Sequence, residues 1–450
     1  MVRKIALILF FITISLVIIK GNIISDEISK NIGTESVVPV SKTEVHSETD
    51  SEETVYALIF VMFSLLIGLT LKQLSQKTKL PYTVCLLFFG LLLGVFPRLI
   101  VIHNSSEISI VGDIIKWASQ IQPHTILFLF LPTLIFEASF NMDLHTFKKS
   151  FGNAFLLAVP GLIIALIITA GVCIFLKKSD LGFYSWDWTT ALMFGTLISA
   201  TDPVAVVALL KELGTNKKLT MLVDSESLLN DGTAIVLFMV FLSILTGTAS
   251  DSSPVVDFVR VSLGGAVIGY ILAMIVSKWL GKIINDMLFE STLIIAPAYI
   301  VFVINEPFFH VSGIIGTLAF GLYMAGKGKT AISPEVTNFL KEFWELAAFL
   351  ANTLIFLLVG ILIGQKTSFQ PANILTLLLF FIGLNIARFV MIFILFPLMK
   401  RIGYGITWQN AIVLGWGGGL RGAVGLALSL IVAGNMLIPE PVRQDVLFYT

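Results

Sequence analysis

The feature that most constrains this chain is a recurrence. Mostly apolar runs of roughly 20 residues, enough to cross a bilayer as a helix, return along nearly all of its 450 residues. Only 13% of the residues are charged and 56% are hydrophobic, whereas a soluble domain carries about 25% charge. With lipid as the solvent, backbone polar groups must be satisfied within each segment, which selects helices. The alternating ten-residue strands of a membrane barrel are absent from the sequence. The expected fold is therefore an all-α polytopic membrane protein.

Twelve segments are expected, at 55–71, 80–96, 124–140, 151–176, 189–210, 221–246, 255–280, 288–304, 311–325, 342–364, 373–398 and 410–433. Lys and Arg in the loops after odd-numbered segments outnumber those after even-numbered ones more than two to one. The positive-inside rule puts the first set in the cytoplasm. The sequon Asn104-Ser105-Ser106 then lies in an outer loop, making Asn104 a glycosylation candidate. Residues 1–20 carry Arg3 and Lys4 before an apolar stretch and read as a signal peptide or an uncleaved anchor. Residues 21–54 read as a flexible extracellular or lumenal segment. A new apolar run begins at Val446, so a thirteenth, final helix and a cytoplasmic region are expected beyond residue 450.

Composition also excludes functions. Net charge is zero and the two cysteines, Cys85 and Cys173, sit in apolar runs. Nucleic-acid binding, a disulfide framework and a zinc cluster are therefore set aside. No nucleotide-phosphate loop occurs, so no cofactor is expected and transport would draw on an ion gradient.

A charge in a spanning helix costs about 2.5–3.5 kcal/mol, so each one needs a reason. Segment five holds Thr201-Asp202-Pro203. Pro203 removes a helical hydrogen bond and pushes Asp202 from helical angles. Carbonyls freed beside a carboxylate are the hard oxygen ligands of a small dehydrated cation; a plain proline kink is the alternative. Segment six holds Asp224, Glu226, Asn230 and Asp231. Glu226 and Asn230 share a face, while Asp231 turns away by roughly 100°. A carboxylate in a low-dielectric cavity can hold a proton or a cation but not both comfortably, which is the competition an exchanger needs.

Segment twelve contains Gly415-Trp416-Gly417-Gly418-Gly419-Leu420-Arg421-Gly422. Its glycines permit an unwound crossing or close helix packing. Arg421 stays ionised and needs a carboxylate; Glu226 is its expected partner, with Asp231 left for the ion. Arg388 in segment eleven either braces the broken helices or neutralises Asp202, and bracing is favoured because a permanent charge cannot trade a proton. Arg260 is expected to snorkel. Asp224 is an interfacial acid or a cation-gathering one. Two interrupted segments in corresponding positions of two halves are the pointer to a transporter's binding site.

Four stretches carry a resemblance: Phe130-Leu131-Pro132-Thr133-Leu134-Ile135-Phe136-Glu137-Ala138, Thr201-Asp202-Pro203-Val204-Ala205-Val206, Glu226-Ser227-Leu228-Leu229-Asn230-Asp231 and Gly419-Leu420-Arg421-Gly422-Ala423-Val424. Over about residues 55–450 the chain resembles the sodium/proton exchangers of the monovalent cation–proton antiporter family. Within that family it looks nearest to the plant salt-tolerance and sperm-type exchangers. The resemblance implies an inverted-repeat antiporter fold with two broken crossing helices, 12 of 13 helices present. It implies that Asp231 binds cation and proton alternately beside Asn230, with Asp202 and Thr201 completing the site for the transported ion. The Asn-Asp pair implies electroneutral exchange of one sodium (or potassium or lithium) for one proton by alternating access.

The resemblance further implies a Glu226–Arg421 ion pair and a homodimer in the plasma membrane that regulates intracellular pH and sodium. It gives Phe130, Leu131, Pro132 and Glu137 to a region that binds amiloride-type inhibitors. Two departures bear on inhibition and rate: Ser225 stands where relatives usually have Gly, and Thr133 where a second Pro is common. A cation channel and a transport-inactive regulatory protein are the alternatives. An intramembrane aspartyl protease would need Tyr-Asp and Gly-x-Gly-Asp signatures that are missing, so no enzymatic activity is expected.

Overall fold

The computed structural model describes residues 43–78, 80–101, 117–118, 123–201, 207, 217–249, 253–283, 286–366, 371–403, 405–417 and 422–450. Among these residues the chain is helical throughout, with no strand. The helices are α1 (Thr43–Thr78), α2 (Tyr82–Val101), α3 (Pro123–Phe140), α4 (Leu144–Leu156), α5 (Leu162–Lys178), α6 (Trp188–Ser199), α7 (Lys217–Leu245) and α8 (Pro254–Leu280). They continue with α9 (Met287–Asn305), α10 (Gly313–Tyr323), α11 (Pro334–Lys366), α12 (Pro371–Met399), α13 (Trp408–Gly417), α14 (Ala423–Gly434) and α15 (Glu440–Tyr449). Among the described residues seven spans are long and apolar enough to cross a membrane by length and composition, and shorter apolar helices accompany them.

The described parts of the expected segments fall on helices, while 202–206 and 208–210 of the fifth and 418–421 of the twelfth lie outside the described residues. Residues 1–42 and Asn104 lie outside the described residues. The first helix starts at Thr43, inside the stretch read as flexible.

The chain divides into two compact units, residues 1–129 with 350–367, and residues 130–349 with 368–450. In the first unit α2 meets the C-terminal half of α11 at backbone distance. A Cβ added at Gly90 or Gly94 would meet the carbonyls of Leu357 or Ile361, and one at Gly360 or Gly364 those of Leu87 or Leu91. Two small-xxx-small faces therefore interlock, as helices do where lipid gives no hydrophobic drive to associate. Tyr82 Oη and Thr353 Oγ1 share a hydrogen bond of 2.7 Å beside this seam.

In the second unit, α8, α9, α10 and the first half of α11 pack around Phe136, Phe320 and Trp344. Glu290 at the start of α9 is 1% exposed and accepts from Ser333 N (2.9 Å) and Ser333 Oγ (2.8 Å). It thereby satisfies donors at the start of α11. A second core is built by α4, α5, α7, α12 and α13. Segment four, read as one helix, has a π turn at Leu157–Gly161 between α4 and α5. Pro160 sits inside that turn and cannot close a regular helical bond.

Candidate functional site

Both segments read as interrupted are interrupted. Asp187 caps the start of α6 through Thr190 N (2.8 Å), and α6 stops at Ser199, where Ala200 turns extended (φ −63°, ψ 125°). Asp202-Pro203 comes next in the sequence and lies outside the described residues. In segment twelve α13 ends at Gly417, and α14 begins after an extended Gly422 (φ −97°, ψ −179°). The two interrupted segments touch: a Cβ at Gly425 of α14 would stand 2.9 Å from the carbonyl oxygen of Leu197 in α6. Glycine is what lets the half-helices approach so closely.

Helix α7 runs unbroken past the end of α6 and ties it down. Ser227 Oγ donates to the Thr201 carbonyl (2.9 Å). Asn230 Nδ2 donates to the Ser199 carbonyl (3.3 Å) and to Thr201 Oγ1 (3.4 Å). Ser227, Asn230 and Thr201 are all buried, and Asp231 on the adjoining face of α7 is half-buried. The buried Oδ1 of Asn230 has no hydrogen-bond partner among the described residues. A cavity of about 10 Å³ lies here, lined by Thr169, Ser199, Thr201, Asn230 and Arg388 among apolar neighbours. That volume holds one water-sized occupant.

Glu226 is 2% exposed and faces Arg388 on α12. Nη1 approaches Oε1 at 2.6 Å and Nη2 donates to Oε2 at 2.9 Å, a two-pronged fork. Arg388 Nε also donates to the Leu414 carbonyl near the end of α13 (3.4 Å). Among the described residues Glu226 pairs with Arg388; Arg421, its expected partner, and Asp202 lie outside them. Arg388, on α12, thus touches α7 through Glu226 and α13 through the Leu414 carbonyl.

Arg260 reaches Asp257 one turn back at 3.1 Å with its side chain largely exposed. In α3, Phe130, Leu131 and Pro132 are buried and Glu137 is half-buried. Glu137 accepts from Asn141 Nδ2 (2.9 Å), and Asp224 and Glu345 lie close enough to act on it through space. Thr133 shares a hydrogen bond of 2.5 Å with Tyr299 of α9. The Thr133 hydroxyl thus ties α3 to α9.

Sequence reasoning missed Thr169, Ser199 and Ser227, because it followed charge. Hydroxyls in membrane helices commonly bond the carbonyl one turn back, as Ser225 does to Met221 (2.6 Å) and Thr233 to Leu229 (2.9 Å). Ser227 departs from that habit, and only its position opposite a broken helix could have singled it out.

Interrupted helices that meet beside buried oxygen ligands, in an all-helical membrane protein, define the secondary-transporter class. The structure is similar to that of the sodium proton antiporter MjNhaP1 from Methanocaldococcus jannaschii at pH 8. The TM-score is 0.71 at 20% identity, covering 88% of this chain and 94% of that one. The sodium/hydrogen exchanger transmembrane family matches residues 59–450, and the chain belongs to that family. It is 40% identical to Sodium/hydrogen exchanger 7 of Arabidopsis thaliana over 404 residues, 88% of this chain and 34% of that protein. It is 33% identical to the Na(+)/H(+) antiporter ApNhaP of Aphanothece halophytica over 402 residues, 86% of this chain and 71% of that protein. The chain spans between about a third and about half of the plant relatives' length.

Proposed function

We propose that the chain is a secondary active antiporter that exchanges sodium for a proton, one for one, by alternating access. The observation that carries this reading is the half-buried Asp231 beside Asn230, whose amide is held on Ser199 and Thr201 where α6 breaks off. Asp231 takes the cation or the proton. Thr201 and Asp202 add oxygen ligands to the cation, and Ser227 fixes the backbone of Thr201. Of the two site carboxylates only Asp231, beside a neutral amide, trades its proton for the cation, so one positive charge replaces another and the cycle is electroneutral. The Glu226–Arg388 pair brings no net charge to the site and braces α7 against α12 and α13.

Family membership supports exchange of a monovalent cation for a proton, and its sodium/hydrogen exchanger and Na(+)/H(+) antiporter relatives favour sodium. Sodium entry and proton exit at the plasma membrane, from a homodimer, would set intracellular pH and sodium. The test is reconstitution in liposomes with a trapped pH dye and a clamped membrane potential. Sodium-driven proton movement that is indifferent to the potential supports one-for-one exchange; a rate that follows the potential refutes it.

A further inference from the structure

Away from the ion site, α12 and α13 leave an open groove of about 400 Å³ whose wall residues are all apolar or aromatic. Phe393 is 67% exposed, Trp408 49% and Ile412 46%. Trp408 stands edge-on to Phe396 and Phe393, with ring centroids 5.1 and 6.2 Å away. At the Trp408 end of the groove the chain turns from α12 into α13 and carries Lys400 and Arg401, both exposed.

The same turn recruits two more cations from α4. Asn153 Nδ2 donates to the Ile402 carbonyl (2.9 Å). Gly403, at φ +60°, lies so close that its Cβ would stand 2.6 Å from the Lys149 carbonyl. Lys148 and Lys149 are exposed there too. Among the described residues, none of these four basic side chains forms an ion pair. The charge count of the loops assigns this end to the cytoplasm.

We infer that the groove and its basic rim bind an anionic phospholipid, one acyl chain lying along Phe393 and Ile412 and the headgroup phosphate resting on Lys148, Lys149, Lys400 and Arg401. An apolar trough that ends in an interfacial tryptophan and a cluster of unpaired cations matches a lipid from tail to head. A second copy of this chain, docked by two-fold symmetry on the same face, would bring its own four cations against these four, and like charges oppose that contact. The groove also adjoins the strut of the ion site. Phe389 in its wall packs on Gly415 and follows Arg388 directly in the chain, so an occupied groove stabilises the α12–α13 pair.

The test is thermal unfolding of the full chain in detergent, titrated with phosphatidylglycerol or with phosphatidylcholine. Phosphatidylglycerol should raise the midpoint saturably, and phosphatidylcholine should not. The surface pair Lys400→Gln/Arg401→Gln should leave the lipid-free midpoint unchanged. It should weaken half-saturation by roughly 25-fold, about five-fold for each cation lost. Val390→Trp, which fills the groove, should abolish the shift; if it lowers the lipid-free midpoint, the charge pair decides alone. Equal stabilisation by both lipids, no shift with either, or an undiminished shift in the charge pair would overturn the inference.

Discussion

Substituting either member of the Glu226–Arg388 pair should destabilise the protein, and Glu226→Gln should do so more than Arg388→Met. The side chains are 2% and 9% exposed and meet at 2.6 Å, in a two-pronged fork completed at 2.9 Å. At an effective dielectric near 20, contact at such distances is worth about 6 kcal/mol of gross attraction. The cost of taking both charges from water offsets most of this, so the net contribution of the pair is small. Removing one partner is different, because the other charge is stranded, at about 3–5 kcal/mol. A stranded Glu226 can discharge by taking a proton, whereas a stranded Arg388 cannot lose one.

Glu226→Gln should therefore fall at the upper end of that range, and Arg388→Met at the lower. At about 2 °C per kcal/mol for a large domain, the midpoints drop by about 10 °C and about 6 °C. Glu226→Met/Arg388→Met, which strands nothing, should recover at least half of the larger loss. The assay is fluorescence-detected size-exclusion chromatography after graded heating. Single variants within 2 °C of the wild type, or a double variant as poor as the sum, would refute the reasoning. Arg388→Met without cost, beside a costly Arg421→Met, would return Glu226 to the partner expected from sequence.

The glycine seam of the first unit predicts that Gly94→Leu, which drives a side chain into the Ile361 carbonyl, costs about 3 kcal/mol and shows as lost monodispersity. Gly171→Ala in α5, with nothing within 4 Å of the new Cβ, should instead raise the melting midpoint, helped by about 0.5–1 kcal/mol of helix propensity. Ser227→Ala removes the donor to the buried Thr201 carbonyl, a loss of about 1 kcal/mol that should lower the melting midpoint by about 2 °C and weaken the apparent cation affinity in liposomes. Burial raises the Asp445 carboxyl from 3.8 to about 6, where Trp186 Nε1 donates to it at 3.2 Å. The folded chain then binds more protons than the unfolded one between about pH 4 and 6, so stability falls as pH rises through that window and levels off above it. Asp445→Asn should flatten the fall in melting scans from pH 4 to 8.

The spans were legible because bilayer thickness imposes its length on the apolar runs. The two breaks were legible because Asp202-Pro203 and the glycines around Arg421 disfavour regular helix in any surroundings. The Glu226–Arg388 contact was not. Helical spacing fixes the face on which Glu226 lies, but which of two permanent cations, 162 or 195 positions away in sequence, comes opposite it depends on how distant helices pack. The π turn at Leu157–Gly161 left only Pro160-Gly161 as a trace inside an apolar run. The cavity beside Asn230 left none, since it is a property of four segments together. The helix from Thr43 was hidden by polar composition, which periodicity arguments read as solvent-exposed chain.

The central claim is that one carboxylate, Asp231, holds cation and proton in turn. It is tested most directly by imposing a proton gradient on liposomes that contain wild type or Asp231→Asn, adding sodium, and following a trapped pH dye. Wild type should show sodium-dependent proton movement and Asp231→Asn none, with both proteins equally monodisperse. Sodium-dependent proton movement that survives in Asp231→Asn would contradict it.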